Sequence, residues 1–350
     1  MYLLNTSTYT LHEFQAGSIP NYAILSHRWE GEEVSFRDLQ SGKGPELRSF
    51  AKVKGCCNQA AADSWEYVWI DSCCIDKSSS AELSEAINSM FKWYEEAQVC
   101  YVYLLDVPVE EEDPRSENSA FRRSEWFTRG WTLQELLAPS TVIFFNCEWT
   151  EIGTKWSLYN TITSITKIEP LIGFQTACIA QKMSWLSRRK TTRVEDMAYC
   201  MMGLFGVNMP PLYGEGWGAF ARLQLEILNK SDDESIFAWE PYYEHDNPSL
   251  LAARPFSFSQ SGNVRAFDWI SDRPCFSMTN KGLRLQLLLL ELSGGEFLAP
   301  LNCKWNDSEH CLAICLERKK KNYFRRGKTG LIPWKESLYC DTKKLQPTLV

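Results

Sequence analysis

Over the first 150 residues, short apolar runs alternate with helically spaced apolar positions. YAILSHRW (22–29) is an apolar run that ends in polar residues, as when a strand enters a loop. EYVWID (66–71) predicts a second strand, followed by the polar loop SCCIDKSSSAE. Ser79 and Glu82 have the spacing of a capping box. Leu83, Ile87, Met90, Tyr94 and Ala97 then follow at helical spacing, so 82–97 is expected to be an amphipathic helix. VCYVYLLD (99–106) is nearly continuous in apolar character, which suits a strand covered on both faces. Residues 107–124 are charged and predict a surface loop. WFTRGWTLQELLA (126–138) predicts a helix, and TVIFF (141–145) a β-branched and aromatic strand behind it. Strand, helix, strand, helix, strand indicates an α/β layer with a mostly parallel sheet.

Residues 150–185 carry no clear periodic signal. Thr192 and Glu195 again have capping-box spacing, and RVEDMAYCMMGLF is expected to run as one helix to Gly206. The turn NMPPLYGEG leads to a second helix near 216–230, with Phe220, Leu223, Ile227 and Leu228 on its apolar face. Beyond 240, apolar runs such as GLRLQLLLLEL (282–292) and HCLAICLE (310–317) are separated by Gly and Pro. The expected organisation is therefore an α/β domain over 1–155, a small helical region over 156–240 and a β-rich region over 241–350.

Composition narrows the classes. A net charge of −7 argues against a general nucleic-acid binder. The 13 Cys include the adjacent pairs Cys56-Cys57 and Cys73-Cys74, which are poor frameworks for disulfide staples. MYLLNTSTYTLHEF lacks the basic start and long apolar core of a secretory signal, so a cytoplasmic location with reduced thiols is expected. LQLLLLEL (285–292) is too short and too interrupted to span a bilayer.

Chemistry concentrates at a few positions. Trp131 and Glu135 lie four residues apart, so a helix presents them on one side. An acid in an otherwise apolar helix must be solvated, pair with a cation such as Arg129 or Arg28, or work. Ser26, Arg28 and Trp29 follow a strand, and Asp71 ends another; ligands in open α/β sheets bind at such strand ends. Arg28 suits an anion because its guanidinium forks onto phosphate. Asp71 and Asp76 also suit turn capping, and Trp131 and Trp126 also suit a core. Metal-binding CxxC…CxxC and HExxH patterns, GxGxxG, Walker and GxSxG motifs are all absent, so no metal is expected. ERKKKNYFRR (317–326) interleaves basic and aromatic residues; a solvated face is expected there rather than a nucleic-acid or anionic-lipid site.

Several of these segments, in this order, resemble the fungal HET (heterokaryon incompatibility) domain: YAILSHRW, YVWIDSCCID, the helix with Glu85, Met90 and Tyr94–Ala97, and RGWTLQELLAP (129–139). SRRKTTRVEDMAYCMMGLFGVNMPPLYGEG (187–216), SDDESIFAW (231–239) and TNKGLRLQL (279–287) are similar to the region that commonly follows HET domains. The HET domain in turn looks like a distant relative of TIR domains, which implies a flavodoxin-like parallel sheet. Enzymatic TIR domains carry a glutamate in a W-x-x-x-E helix and cleave the nicotinamide–ribose bond of NAD. Glu135 is the matching position, with Trp131 as the tryptophan. The resemblance thus implies NAD as a substrate rather than a bound cofactor, Glu135 as catalytic, and Ser26, Arg28, Trp29, Asp71 and Trp131 around the substrate. It also implies non-self recognition and cell death, an incompatibility partner protein and homo-oligomers. The alternative it leaves open is the same fold as a non-catalytic self-association module.

Overall fold

The structure, a computed structural model, describes residues 1–110, 113–241, 249–268, 276–280, 282–320, 323–327, 330–334 and 345–349. They form two compact units, one of Met1–Ile172 with Cys200–Pro211, the other of Gly173–Tyr199 with Leu212–Val350.

The first unit contains β1 (Tyr2–Asn5), β2 (Leu11–Glu13), β3 (Ala23–His27), α1 (Phe36–Gln40), α2 (Phe50–Ala62), β4 (Tyr67–Trp69), α3 (Ser80–Glu96), β5 (Val99–Tyr103), α4 (Ala120–Arg123), α5 (Thr132–Leu137), β6 (Val142–Phe145), β7 (Glu151–Thr154) and α6 (Tyr159–Thr166). Its sheet runs β2-β1-β4-β3-β5-β6-β7. The four central strands pair in parallel. All five residues of β3 and of β5 are buried; β5 is apolar or aromatic throughout, whereas β3 ends in the buried polar pair Ser26 and His27. In chain order these four strands lie second, first, third, fourth.

The expectation of a mostly parallel sheet holds for this centre and not for the edges. β1 pairs antiparallel with β2 and β4, and β7 antiparallel with β6. For β1–β2 and β6–β7 the reason is connection length. Short loops over 6–10 and 146–150 can only return the chain antiparallel, whereas parallel neighbours need a crossover.

The crossover from β3 to β4 includes α2, which apolar counting passes over. Its buried stripe is Phe50, Val53, Cys56, Cys57 and Ala60, mostly small or sulfur-bearing side chains. Gly55 on this helix lets Trp149 approach closely: a Cβ there would stand 2.0 Å from the Trp149 indole nitrogen. α3 begins where Ser79 predicts, its hydroxyl accepting from the Glu82 N–H at 3.3 Å. The Glu82 carboxylate serves the Asp76 N–H instead of closing the box.

The second unit holds α7 (Ile179–Leu186), α8 (Asp196–Tyr199), α9 (Gly218–Leu228) and a sheet built from β8 (Val264–Ala266), β9 (Ser277–Thr279), β10 (Gly282–Leu288), β11 (Leu290–Glu291), β12 (Glu296–Trp305), β13 (Cys311–Lys320), β14 (Tyr323–Arg326), β15 (Ile332–Trp334) and β16 (Leu345–Leu349). Pairing in that sheet is antiparallel except between β14 and β16. The β-rich character expected after 240 is thus present, and Cys303, Cys311 and Cys315 are buried thiols within it.

The continuous helix expected from 192 to Gly206 is not formed. Only Asp196–Tyr199 is α-helical, with a 3₁₀ turn at Gly203–Phe205. The capping box expected at its start is not formed either. The Glu195 carboxylate accepts from the N–H groups of Gly214 and Gly216, at 2.8 and 3.1 Å, rather than capping behind Thr192. In the silent stretch 150–185 the structure places β7, α6 and the start of α7. Of the basic tract 317–326, Lys321 and Asn322 lie outside the described residues. Arg326 is fully buried and donates to the carbonyls of Phe237 and Trp239, while Lys319 pairs with Glu317.

Candidate functional site

β3 ends at the switch point of the parallel sheet, between β4 and β5, where connections leave in opposite directions. Its last two residues, Ser26 and His27, project to opposite faces because successive strand residues alternate. Each organises its own cluster.

On the first face, the Ser26 hydroxyl donates to Oε2 of Glu135. The same hydroxyl oxygen accepts from the Trp126 indole N–H at 2.8 Å. Trp126 is 1% exposed and sits in the 3₁₀ turn Glu125–Thr128, just before α5. The Thr132 hydroxyl locks that turn to the start of α5 by donating to the carbonyls of Trp126 and Arg129, at 2.6 and 3.0 Å. Glu135 is 7% exposed, less accessible than a residue facing an open cleft. A charged carboxylate in such surroundings interacts more strongly with any nearby charge than it would in water. Trp131 precedes α5 with helical backbone angles and is half-buried.

On the second face, the His27 side chain is 1% exposed. Its Nε2 lies 3.7 Å from Asp71 Oδ1 and 3.8 Å from Glu33 Oε2, beyond hydrogen-bond length. Burial drives the His27 pKa down to about 3; Asp71 opposes the shift, and Lys52, Arg129 and Lys77 add to it. The ring is therefore neutral at neutral pH. Glu33 is held by Lys52 at 2.6 Å. Asp71 accepts the Trp29 indole N–H at 2.8 Å, and the Lys77 ammonium stands 3.6 Å from the Trp29 ring centre. Trp29 itself is 37% exposed.

The structure thus joins Ser26 to Glu135, and Trp29 to Asp71. Arg28 goes elsewhere: its guanidinium pairs with Glu125 and, at 3.9 Å, with Glu30. Asp76 caps its own turn by accepting from the N–H and hydroxyl of Ser78, which hold its pKa below the usual value. Cys73 and Cys74 are buried, and the Cys73 thiol is pushed up by its contact with Cys74 and by burial, so it is a poor nucleophile. Trp126 and His27 take larger parts than their sequence context announces. Their signal is position alone, one before the predicted helix and one at the end of the first parallel strand. Among the described residues no group of three or more His, Cys, Asp or Glu is arranged to hold a metal, and no helix is long and apolar enough to cross a membrane.

Comparison with known proteins bears on this arrangement. Residues 22–118 match the family described as "Heterokaryon incompatibility protein (HET)". That span includes Ser26, Arg28, Trp29 and Asp71 and stops short of Glu135. The chain is also similar to "Vegetative incompatibility protein HET-E-1" of Podospora anserina, with 38% identity over 305 residues. The similarity covers 83% of this chain and 22% of that relative, so this chain spans only a fraction of its length. No solved structure matches. On the matched domain and the extended similarity to the Podospora protein, the chain belongs to the heterokaryon incompatibility (HET) family.

Proposed function

We propose that this chain acts in fungal heterokaryon incompatibility, in non-self recognition coupled to cell death, and that its α/β unit is a TIR-like NAD glycohydrolase with Glu135 as the catalytic carboxylate. Parallel strands in the order second, first, third, fourth support a flavodoxin-like reading. The observation that carries the enzymatic reading is the Trp126–Ser26–Glu135 chain of hydrogen bonds at the carboxyl end of β3. It holds a buried carboxylate at the sheet's switch point in one orientation.

The reaction breaks the bond between ribose C1′ and the nicotinamide nitrogen. The electron pair leaves with nicotinamide, which becomes neutral. A ribosyl oxocarbenium develops, water adds to C1′, and one proton is released. Glu135 stabilises the positive charge, and its fixed placement avoids reorganisation when that charge appears. Ser26 orients Oε2 and Trp126 orients Ser26. In this reading Trp131 and the Trp29–Asp71 pair line the substrate's path, and Arg28 meets phosphate after exchanging its Glu125 partner.

The deciding experiment is chromatographic measurement of NAD consumption by the purified chain over a range of protein concentrations, since oligomerisation can be required. Turnover in the wild type, lost in Glu135→Gln, supports the proposal. Absence of turnover at every concentration overturns it.

The burial of Glu135 favours a second reading, in which the three residues are a structural tie inside a self-association module. Concentration-dependent sedimentation without NAD turnover selects it. An incompatibility partner protein belongs to either reading.

A further inference from the structure

Lys155 is a buried lysine outside the Ser26 and His27 clusters. It follows β7 and is 7% exposed. Its main-chain N–H is tied to the Val142 carbonyl at 2.9 Å, where β6 begins. Its ammonium donates to the carbonyls of Leu136, at 3.2 Å, and Pro139. Both acceptors are main-chain groups at the carboxyl end of α5, the helix that carries Glu135.

A buried ammonium is unfavourable unless hydrogen bonds and the local field compensate it. The field here is that of a helix C-terminus, which favours a cation. α5 has only six residues, so it has little stability of its own and leaves its last carbonyls exposed to outside partners. Those carbonyls are taken up in order. The Ala138 N–H serves Gln134 at 2.9 Å, the Cys100 thiol lies 3.9 Å from the Glu135 carbonyl, and Lys155 serves Leu136. Burial lowers the Lys155 pKa to about 8, with Cys100 opposing, so the ammonium still predominates at neutral pH.

We propose that Lys155 is the positioning residue for Glu135, clamping the carbonyl end of α5 so that the carboxylate meets the Ser26 hydroxyl. Its effect on turnover rests on the enzymatic reading above; its effect on geometry does not. α5 is then fixed at three places. Thr132 holds its start, Ser26 holds its acid, and Lys155 holds its end. A lysine that only stabilised the fold would lower the melting temperature and leave the Ser26–Glu135 geometry alone.

The Trp126 indole N–H reports that geometry, because its acceptor is the hydroxyl that binds Glu135. In the full chain labelled with ¹⁵N, its resonance is assigned by Trp126→Phe and then followed in Lys155→Met, which keeps the apolar stem and removes charge and donors. The expected result is a displaced indole resonance and a kcat for NAD lowered about 10²-fold with KM unchanged, since small displacements of a reacting group cost that much. Lys155→Arg, which retains a cation that donates to carbonyls, should restore most of both. A folded Lys155→Met protein with the wild-type indole resonance overturns the proposal, whatever its melting temperature. If the wild type does not turn over NAD, the enzymatic reading fails by itself, and the resonance still decides the positioning. If Lys155→Met does not fold, Lys155→Gln replaces it as the uncharged variant, and the same two outcomes apply.

Discussion

The Ser26 hydroxyl reaches the Glu135 carboxylate across 109 positions of chain, and this one hydrogen bond joins the end of β3 to α5. Both partners are buried, so neither can exchange the other for water at low cost. Four measurements probe what depends on this contact and on its surroundings.

Glu135→Gln keeps the side-chain volume and leaves an amide oxygen for Ser26. The fold should survive, with a cooperative melt close to wild type. NAD cleavage should fall by roughly 10²–10³, the usual cost of one electrostatic contact to a developing charge. Equal turnover by wild type and Glu135→Gln removes Glu135 from the chemistry.

Ser26→Ala takes the acceptor from the Trp126 N–H and the donor from Glu135. Leaving buried polar groups unmatched should cost ~1–3 kcal/mol in denaturant unfolding. Adding Trp126→Phe removes one orphaned donor, so the double variant should lose less than the sum of the single losses. Strict additivity would show that the hydrogen bond contributes nothing.

His27 should make stability depend on pH. Its pKa falls from 6.5 to about 3 on folding, mainly through burial, so the unfolded chain binds the extra proton between those values. Stability is therefore present above pH 6.5 and is lost as pH drops toward 3, at up to about 1.4 kcal/mol per pH unit. The wild type minus His27→Gln difference in unfolding free energy should shrink across that window. A constant difference would mean that the ring does not titrate against folding.

Gly55→Ala should destabilise the α/β unit. The added methyl would stand 2.0 Å from the Trp149 indole nitrogen, so helix or ring must shift. Overpacking of this kind typically costs ~1–3 kcal/mol. Trp149→Leu in the same chain should recover part of the loss, as read by the midpoint of urea unfolding. An unchanged midpoint in the single variant refutes the tight contact.

The sequence by itself determined the elements whose burial is complete or whose periodicity is strong. β4, β5 and β6 are apolar and aromatic runs, and β3 is one up to Ser26, because both faces of the central sheet are covered. α3 carries a helical stripe and a serine at its start. Ser26 and Glu135 were also legible, as polar residues in apolar segments next to predicted strand ends. Only the tertiary structure decided the rest. α2 buries small and sulfur-bearing side chains that an apolar count undervalues, and β2 and β7, edge strands with no buried residue, carry little apolar signal. The capping box expected at Thr192 is not closed, because Glu195 finds amide donors at Gly214 and Gly216, partners that the local pattern does not display. Glu135, Trp126 and Lys155 depend on the same kind of distant partner. Local patterns record which residues leave water, whereas a hydrogen bond between remote segments exists only once the strand order has brought them together.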